Sequence, residues 1–146
     1  MTGSVSGFVL DASVALGWLI DDSQSGDPQP AYAGRVQQRM IDGSRPVVPV
    51  HWHLEMANAV LTAWRRKALR RETSEILSNI AALLSFMETD EMPDDIGTLV
   101  GMGHRQQLTS YDAAYVALAG RRNLPLATED SAMISAARGL KIPILT

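Results

Sequence analysis

The chain contains no cysteine. This absence excludes disulfides, iron–sulfur clusters, thiolate zinc sites and thiol nucleophiles, so any metal ion must bind through oxygen or histidine nitrogen. No apolar run approaches the roughly 18 residues of a membrane-spanning helix. The opening Met1-Thr2-Gly3-Ser4 also lacks the basic start and apolar stretch of a secretion signal. These absences favour a cytoplasmic protein.

Lysine is scarce as well. Of the 13 basic residues only Lys67 and Lys141 are lysine, and the arginines include the clusters Arg65-Arg66-Lys67, Arg70-Arg71 and Arg121-Arg122. Arginine binds phosphate bidentately, but helix ends and solvated faces often carry such pairs. The formal charge of −3 is too small to indicate a partner. The clusters are therefore compatible with a phosphate-containing ligand without identifying one.

Length and composition are those of an ordinary globular protein. The chain has 146 residues, 46% of them hydrophobic and 20% charged. This length suits one compact domain over residues 1–146 with a single hydrophobic core. We find no internal repeat and no long linker.

Short apolar segments alternate with helical patterns along the chain. The segments Phe8–Leu10, Pro46–Val50, Leu124–Ala127 and Ile142–Leu145 have the length and apolar character of buried strands, and a weaker strand signal lies near Thr89–Met92. An exposed loop is predicted over 21–30, which is rich in turn formers. Apolar strands that alternate with helices predict an α/β fold, with a mainly parallel sheet flanked by helices on both faces.

Seven segments have helical periodicity or helix-capping residues. They are residues 13–20, 31–41, 51–69, 76–87, a helix that Asp94-Asp95 would cap, a helix that Ser110 would cap, and 132–138, with Gly139 as a stop. The clearest period lies within 51–69, where five residues share one face that we expect to pack on the core: Leu54, Ala57, Leu61, Trp64 and Ala68.

Four acidic residues fall at related places in this layout. Asp11 directly follows the first strand, and Asp130 directly follows the strand Leu124–Ala127. Glu55 lies in the first turns of the helix after the second strand, and Asp112 lies in the first turn of its own helix. In an open parallel sheet, the carboxyl ends of strands and the amino ends of helices share one edge, where ligands bind. We therefore expect the four carboxylates to meet there.

Each acid alone has a structural explanation, because an acid in a first turn caps free backbone N–H groups and favours the helix dipole. Their conjunction is costly, since two charges about 5 Å apart at an effective dielectric near 20 repel by roughly 3 kcal/mol. Either some of the acids hold protons at neutral pH, or a divalent cation offsets the repulsion. A site made of oxygen ligands favours Mg²⁺ or Mn²⁺, which promote phosphodiester hydrolysis.

The acids and their surroundings resemble the PIN-domain ribonucleases, and among them the VapC-type toxins of bacterial toxin–antitoxin pairs. The resemblance covers nearly the whole chain and rests on three motifs in order: Phe8-Val9-Leu10-Asp11-Ala12-Ser13, Tyr111-Asp112-Ala113-Ala114-Tyr115 within Leu108–Ala119, and Ala127-Thr128-Glu129-Asp130 after Leu124. It implies four catalytic, metal-binding acids, namely Asp11, Glu55, Asp112 and Asp130. It also implies that the hydroxyls of Ser13 and Thr128 hold the acids or water in place, although both could simply be capping residues.

The resemblance further implies a single PIN-like domain with a mainly parallel five-stranded sheet. Its activity would be that of an endoribonuclease that hydrolyses RNA phosphodiester bonds with Mg²⁺ or Mn²⁺. Its partners would be the RNA substrate, a second copy of the chain in a homodimer, and a cognate antitoxin that blocks the site. The apolar faces of the helices Leu54–Ala68 and Ile76–Met87 are compatible with such partners, but a core would explain them equally well.

Three other interpretations stay open. His51, His53 and Glu55 alternate and could bind zinc if they lay on a strand, whereas on a helix only His51 and Glu55 share a face. A signalling receiver also carries acids at a strand edge, but it needs a lysine near the end of its last strand, and Lys141 precedes that strand. A catalytically silent PIN-like module would bind RNA or protein only, and loss of an acid would indicate it.

Overall fold

Four short parallel strands form the centre of the fold. The computed structural model describes residues 7–20, 31–69, 71–92 and 94–146, so the loop predicted over 21–30 lies outside the described residues. The strands are β1 (Gly7–Leu10), β2 (Arg45–Pro49), β3 (Glu88–Asp90) and β4 (Leu126–Ala127). They are hydrogen-bonded in the order β3-β2-β1-β4, and every pair is parallel.

The predicted fifth strand is reduced to a single parallel bridge between Ile144 and Leu126. The Leu126 N–H donates to the Pro143 carbonyl at 2.9 Å, and the Leu145 N–H donates to the Leu126 carbonyl at 2.9 Å. Pro143 has no N–H to extend this ladder, and Pro125 imposes the same limit at the start of β4. The described residues therefore contain four strands, with the last segment along the outer side of β4.

Helices occupy all seven predicted positions, with ends that differ by a few residues. They are α1 (Ala12–Leu19), α2 (Ala31–Ile41), α3 (Trp52–Arg65), α4 (Thr73–Leu84), α5 (Ile96–Gln106), α6 (Ser110–Arg122) and α7 (Ser131–Gly139). The cap of α6 is Thr109 and not Ser110, because the Thr109 hydroxyl accepts the Asp112 N–H at 3.1 Å. Within the described ranges, no helix is long and apolar enough to cross a membrane.

The sheet is covered on both faces. Phe8, Val9 and Leu10 are successive residues of β1 and all are fully buried, and successive side chains of a strand point to opposite faces. Helix α6 packs against β1, β2 and β4, and its residues 113–119 are all buried. The predicted α/β fold with a parallel sheet between helices is therefore confirmed.

The predicted buried face of α3 is wrong, although the helix itself is present. Its buried residues are Trp52, Met56 and Val60, whereas Leu54 is 74% exposed and Trp64 is 58% exposed. Both sets of residues recur every three or four positions, so spacing could not distinguish them. Of the predicted face, Leu61 and Trp64 line a groove between α3 and α4, together with Leu77 of α4.

A buried carboxylate joins β3 to the end of α6. Asp90 is the last residue of β3 and its side chain is 4% exposed. It accepts hydrogen bonds from Arg121 Nη1 at 3.1 Å and from Arg122 Nη1 at 2.9 Å. Arg122 also contacts Glu88, and Arg121 contacts Asp94 at 3.3 Å. The cluster Arg121-Arg122 is therefore paired with acids of its own chain, which makes it a poor candidate for phosphate binding.

We expect Asp90→Ala to lower the free energy of unfolding at pH 7 by about 2 kcal/mol, because the charged hydrogen bonds from two arginines are lost. Urea denaturation measures this difference. Glu91→Ala, at the exposed neighbouring position, is the matched control and should change stability by less than about 0.5 kcal/mol. Equal effects of the two substitutions would contradict the structural role of Asp90.

The pH dependence of this effect has a defined sign. Burial raises the pKa of Asp90, but the hydrogen bonds from Arg121 and Arg122 outweigh it and hold the pKa below its ordinary value of 3.8. A carboxyl with a lowered pKa in the folded state stabilises the fold above its ordinary pKa, and this contribution is lost as the pH falls through the folded-state value. The advantage of the wild type over Asp90→Ala should therefore shrink only below about pH 4.

A candidate active site at the carboxyl edge of the sheet

Asp11 stands where the strand order reverses. The chain passes from β1 outward through β2 to β3, and then returns to place β4 on the other side of β1. Asp11 follows β1 directly and its side chain accepts from the Ser13 N–H as the N-cap of α1. Crevices at such switch points, outside the carboxyl ends of the strands, are the ligand sites of open α/β sheets.

Two hydroxyl groups hold the Asp11 carboxylate. Ser13 Oγ and Thr128 Oγ1 each donate to Asp11 Oδ2 at 2.8 Å. Thr128 follows β4, is buried, and also accepts the Asp130 N–H at 3.1 Å. The Thr128 hydroxyl thus links the ends of two neighbouring strands, which is more than a local capping contact.

The environment of Asp11 disfavours its ionised form. Only 6% of the residue is exposed. Burial raises the pKa of this carboxyl above 3.8, the hydrogen bonds from Thr128 and Ser13 lower it in part, and the negative charge of Glu55 raises it again. A charge at this position therefore lacks a compensating cation among its neighbours in the described part of the chain.

Glu55 projects toward the same edge from the first turn of α3. The Tyr115 hydroxyl donates to Glu55 Oε1 at 3.2 Å. His51 Nε2 lies 3.1 Å from the same oxygen, yet it has no hydrogen-bond partner, so the contact is close without being aligned. Glu55 is thus positioned by α6 as well as by its own helix.

Tyr115 is a site residue to which the sequence motif around Asp112 assigned no role of its own. It is fully buried, and burial together with the charges of Glu55 and Asp11 raises its pKa. The hydroxyl therefore remains a protonated donor at neutral pH. Its spacing of three residues from Asp112 puts both on one side of α6, and this spacing could have indicated its place in the site.

Asp112 and Asp130 complete the group on the solvent side. The pKa of Asp112 is raised by burial and then by the charges of Asp130, Asp11 and Glu55. Asp130 is exposed, and its Oδ1 accepts the Met133 N–H at 2.8 Å as the N-cap of α7. The four acids that sequence analysis selected thus lie close enough to influence one another, although they come from four separate segments.

The four acids have suitable ligand atoms for a divalent cation, but they are not arranged as a coordination site. Carboxylate oxygens gathered at one edge have the composition of an Mg²⁺ or Mn²⁺ site. Among the described residues, however, no three histidine, aspartate or glutamate side chains are grouped so that they could hold one ion. Binding would therefore require carboxylates at this edge to move toward a common centre.

The alternative zinc set is not supported by the geometry. His51 and Glu55 lie one helical turn apart and contact each other. His53 is exposed, and its ring packs edge-on against Trp52, with the ring centroids 5.7 Å apart.

Asp90 is a fifth acid at the carboxyl edge, which the sequence did not single out. Because Arg121 and Arg122 already neutralise it, Asp90 is a poor metal ligand.

Known structures share this architecture. The crystal structure of PAE2754 from Pyrobaculum aerophilum has a TM-score of 0.67 and 20% sequence identity, over 92% of this chain and 82% of that chain. VapBC2 from Rickettsia felis, bound to a DNA fragment from its promoter, has a TM-score of 0.63 and 12% identity, over 95% and 97% of the two chains. FitAcB from Neisseria gonorrhoeae has a TM-score of 0.53 and 14% identity, over 95% and 96%. At these identities the likeness shows the fold.

A comparison with curated protein sequences finds no match. The family model described as the PIN domain matches residues 8–139, which include all four acids and all of the four strands except Gly7. This match excludes a signalling receiver and agrees with the order of motifs along the chain. The protein therefore belongs to the PIN-domain family.

Proposed function

We propose that this PIN domain is an Mg²⁺- or Mn²⁺-dependent endoribonuclease and the VapC-type toxin of a type II toxin–antitoxin pair. PIN domains are generally metal-dependent nucleases. The observation that carries the proposal is the convergence of four acidic segments at one edge, where burial and then the charges of the other three acids raise the pKa of Asp112. Such a concentration of like charge costs stability unless a cation or a proton occupies the site.

The proposed metal ligands are the oxygens of four acids: Asp11, Glu55, Asp112 and Asp130. A divalent ion there would activate water and neutralise charge that develops on the phosphate. The protein's own contribution is placement: Ser13 and Thr128 fix the buried Asp11 carboxylate, and the Tyr115 hydroxyl fixes Glu55. Water would attack phosphorus as the bond to the 3′ oxygen breaks.

One alternative function is favoured by the lack of a ready-made group of metal ligands among the described residues. Because no three candidate ligands are grouped around one point within the described residues, the chain could instead be a catalytically silent PIN-like module that binds RNA or protein. All four acids are present, which favours the nuclease. Metal binding and RNA cleavage distinguish the two functions.

Two protein partners complete the proposal. The similar structures VapBC2 and FitAcB support an antitoxin, and the exposed apolar residues beside the α3–α4 groove offer it a surface. A second apolar surface lies on α5, where Ile96 and Val100 are exposed one turn apart, and Met92 before the helix is exposed as well. The burial of this surface in a homodimer would remove it from water. Because these apolar residues are exposed, packing in the hydrophobic core does not explain either surface.

We expect metal to stabilise the wild type and not Asp11→Asn. Because the pKa of Asp11 is raised, its carboxyl stabilises the fold below pH 3.8, and this contribution is lost as the pH rises through the folded-state value. Without metal at pH 7, Asp11→Asn should therefore unfold at a temperature at least as high as the wild type does. Mn²⁺ at about ten times its Kd should stabilise the wild type by about 1.4 kcal/mol.

Calorimetry with and without Mn²⁺ measures both effects. Glu129→Gln is the matched control, because Glu129 is an exposed acid in the same turn and lies outside the four; it should respond to Mn²⁺ as the wild type does. Equal stabilisation of Asp11→Asn by Mn²⁺ would remove Asp11 from the ligand set.

We expect the wild type to cleave RNA with Mg²⁺, and EDTA to abolish cleavage until Mn²⁺ is added. Asp11→Asn and Glu55→Gln should each lower kcat/KM by more than about 100-fold, because even indirect disturbance of a metal ligand costs 10- to 100-fold. Glu129→Gln should retain full activity. Cleavage that persists in chelator would contradict metal dependence, and the absence of cleavage with intact metal binding would favour the silent module.

We expect the wild type to be a dimer at micromolar concentration, and Ile96→Asp to weaken it by at least about tenfold in Kd, because a charge would enter an apolar interface. Size-exclusion chromatography with light scattering measures the mass. Ile41→Asp, at an equally exposed position on α2, should leave the dimer intact. A wild type that is monomeric at every concentration would contradict the homodimer.

A further inference from the structure

An exposed aromatic ring lies beside the four acids and takes no part in the proposed hydrolysis. Tyr111 directly precedes Asp112 in the first turn of α6, and 63% of it is exposed. Its ring centroid lies 5.7 Å from that of His51, at an angle of 55°. The sequence motif around Asp112 includes this tyrosine, but metal binding by carboxylates gives it no function.

His51 supports the Tyr111 ring from the protein side. Its imidazole also meets the buried Tyr115 edge-on, with centroids 5.0 Å apart, and its side chain is only 16% exposed. Three rings thus run from the core to the surface in the order Tyr115, His51, Tyr111. The outermost ring is held by its neighbour and still presents most of its surface to solvent.

We propose that Tyr111, supported by His51, is a stacking surface for one base of the RNA next to the cleaved phosphodiester. This inference rests on the proposed function for its choice of substrate. Single-stranded RNA is recognised largely through bases that stack on aromatic side chains, because every base has a π-face. A base stacked on Tyr111 would hold its own phosphate beside Asp112, the next residue along the chain.

The charges of the site explain why RNA would need such a contact. The four acids repel phosphate, and the chain as a whole carries a formal charge of −3. Arg121 and Arg122 are already paired with acids of β3 and of the segment that follows it. Stacking supplies binding energy that is independent of phosphate charge, so it can hold RNA at an acidic edge before the cation has neutralised it.

The test compares Tyr111→Ala, Tyr111→Phe and the control Phe86→Ala, each combined with Asp11→Asn to prevent cleavage. Phe86 is exposed to a similar degree and lies beyond the end of α4. The probe is a fluorescein-labelled mixed-sequence RNA of 12 nucleotides, with Mg²⁺ present, and anisotropy gives its Kd. Tyr111→Ala should raise Kd by about fivefold or more. Tyr111→Phe, which keeps the ring, and Phe86→Ala should leave Kd nearly unchanged.

A second probe reports stacking directly. RNA that carries 2-aminopurine in place of adenine should lose fluorescence on binding to the Asp11→Asn protein, because the base stacks, and should lose less on binding to Asp11→Asn combined with Tyr111→Ala. An unchanged Kd and unchanged quenching in the alanine variant would overturn the inference. So would RNA affinity that stays unchanged while light scattering shows that Tyr111→Ala alters the oligomeric state, because the ring would then belong to a contact between copies.

Cleavage assays with intact Asp11 separate this inference from the proposed function. Cleavage by the wild type together with a Tyr111-independent Kd would overturn the stacking surface alone. Binding that depends on Tyr111, without any cleavage, would overturn the nuclease and support the stacking surface. Absence of RNA binding by both the wild type and the Asp11→Asn protein would overturn the stacking surface.

Discussion

Repulsion among carboxylates at one edge of the sheet is the constraint on which the site depends. The order β3-β2-β1-β4 places the ends of β1 and β4 side by side, and α3 and α6 bring Glu55 and Asp112 into the same field. Bringing these acids together therefore costs electrostatic free energy, and the burial of apolar side chains elsewhere in the molecule offsets this cost. A protein that needed only stability would gain nothing from this arrangement.

Two acids at the carboxyl edge of the sheet have contrasting surroundings. Asp90 stands at the carboxyl end of β3, but two arginines neutralise it and lower its pKa, so its charge is used to join β3 to α6. Asp11 stands at the end of β1 and accepts hydrogen bonds from two hydroxyls and from the Ser13 N–H, and burial raises its pKa. Position at the edge alone therefore does not define a candidate ligand. In the part of the chain that the structure describes, the lack of a basic partner distinguishes the candidate ligand Asp11 from the structural Asp90.

The sequence was sufficient for the element order and for placing four acids at one edge of the sheet, because both follow from local signals; the role of those acids stays a prediction. Apolar runs mark the strands, and an acid after a strand or in a first turn marks the edge. The buried face of α3 was not predictable, since Leu54 and Met56 belong to two stripes of the same period and only the packing of neighbouring elements selects one. The spacing of Tyr115 from Asp112 indicates its side of α6, but the contact of its hydroxyl with Glu55, 60 positions away, was not predictable because it depends on how α3 and α6 pack.

Helix α6 is the element that connects these properties. Its body is buried between the sheet and the helices α5 and α7. Its last turn holds β3 through Arg121 and Arg122, and its first turn carries Asp112 beside the exposed Tyr111. Because α6 is fixed at its last turn and along its length, it can keep Asp112 of its first turn near the other carboxylates despite their repulsion. If the acids at this edge bind a cation as proposed, we expect the movement to be mainly one of side chains, because the backbone of α6 is held along its length.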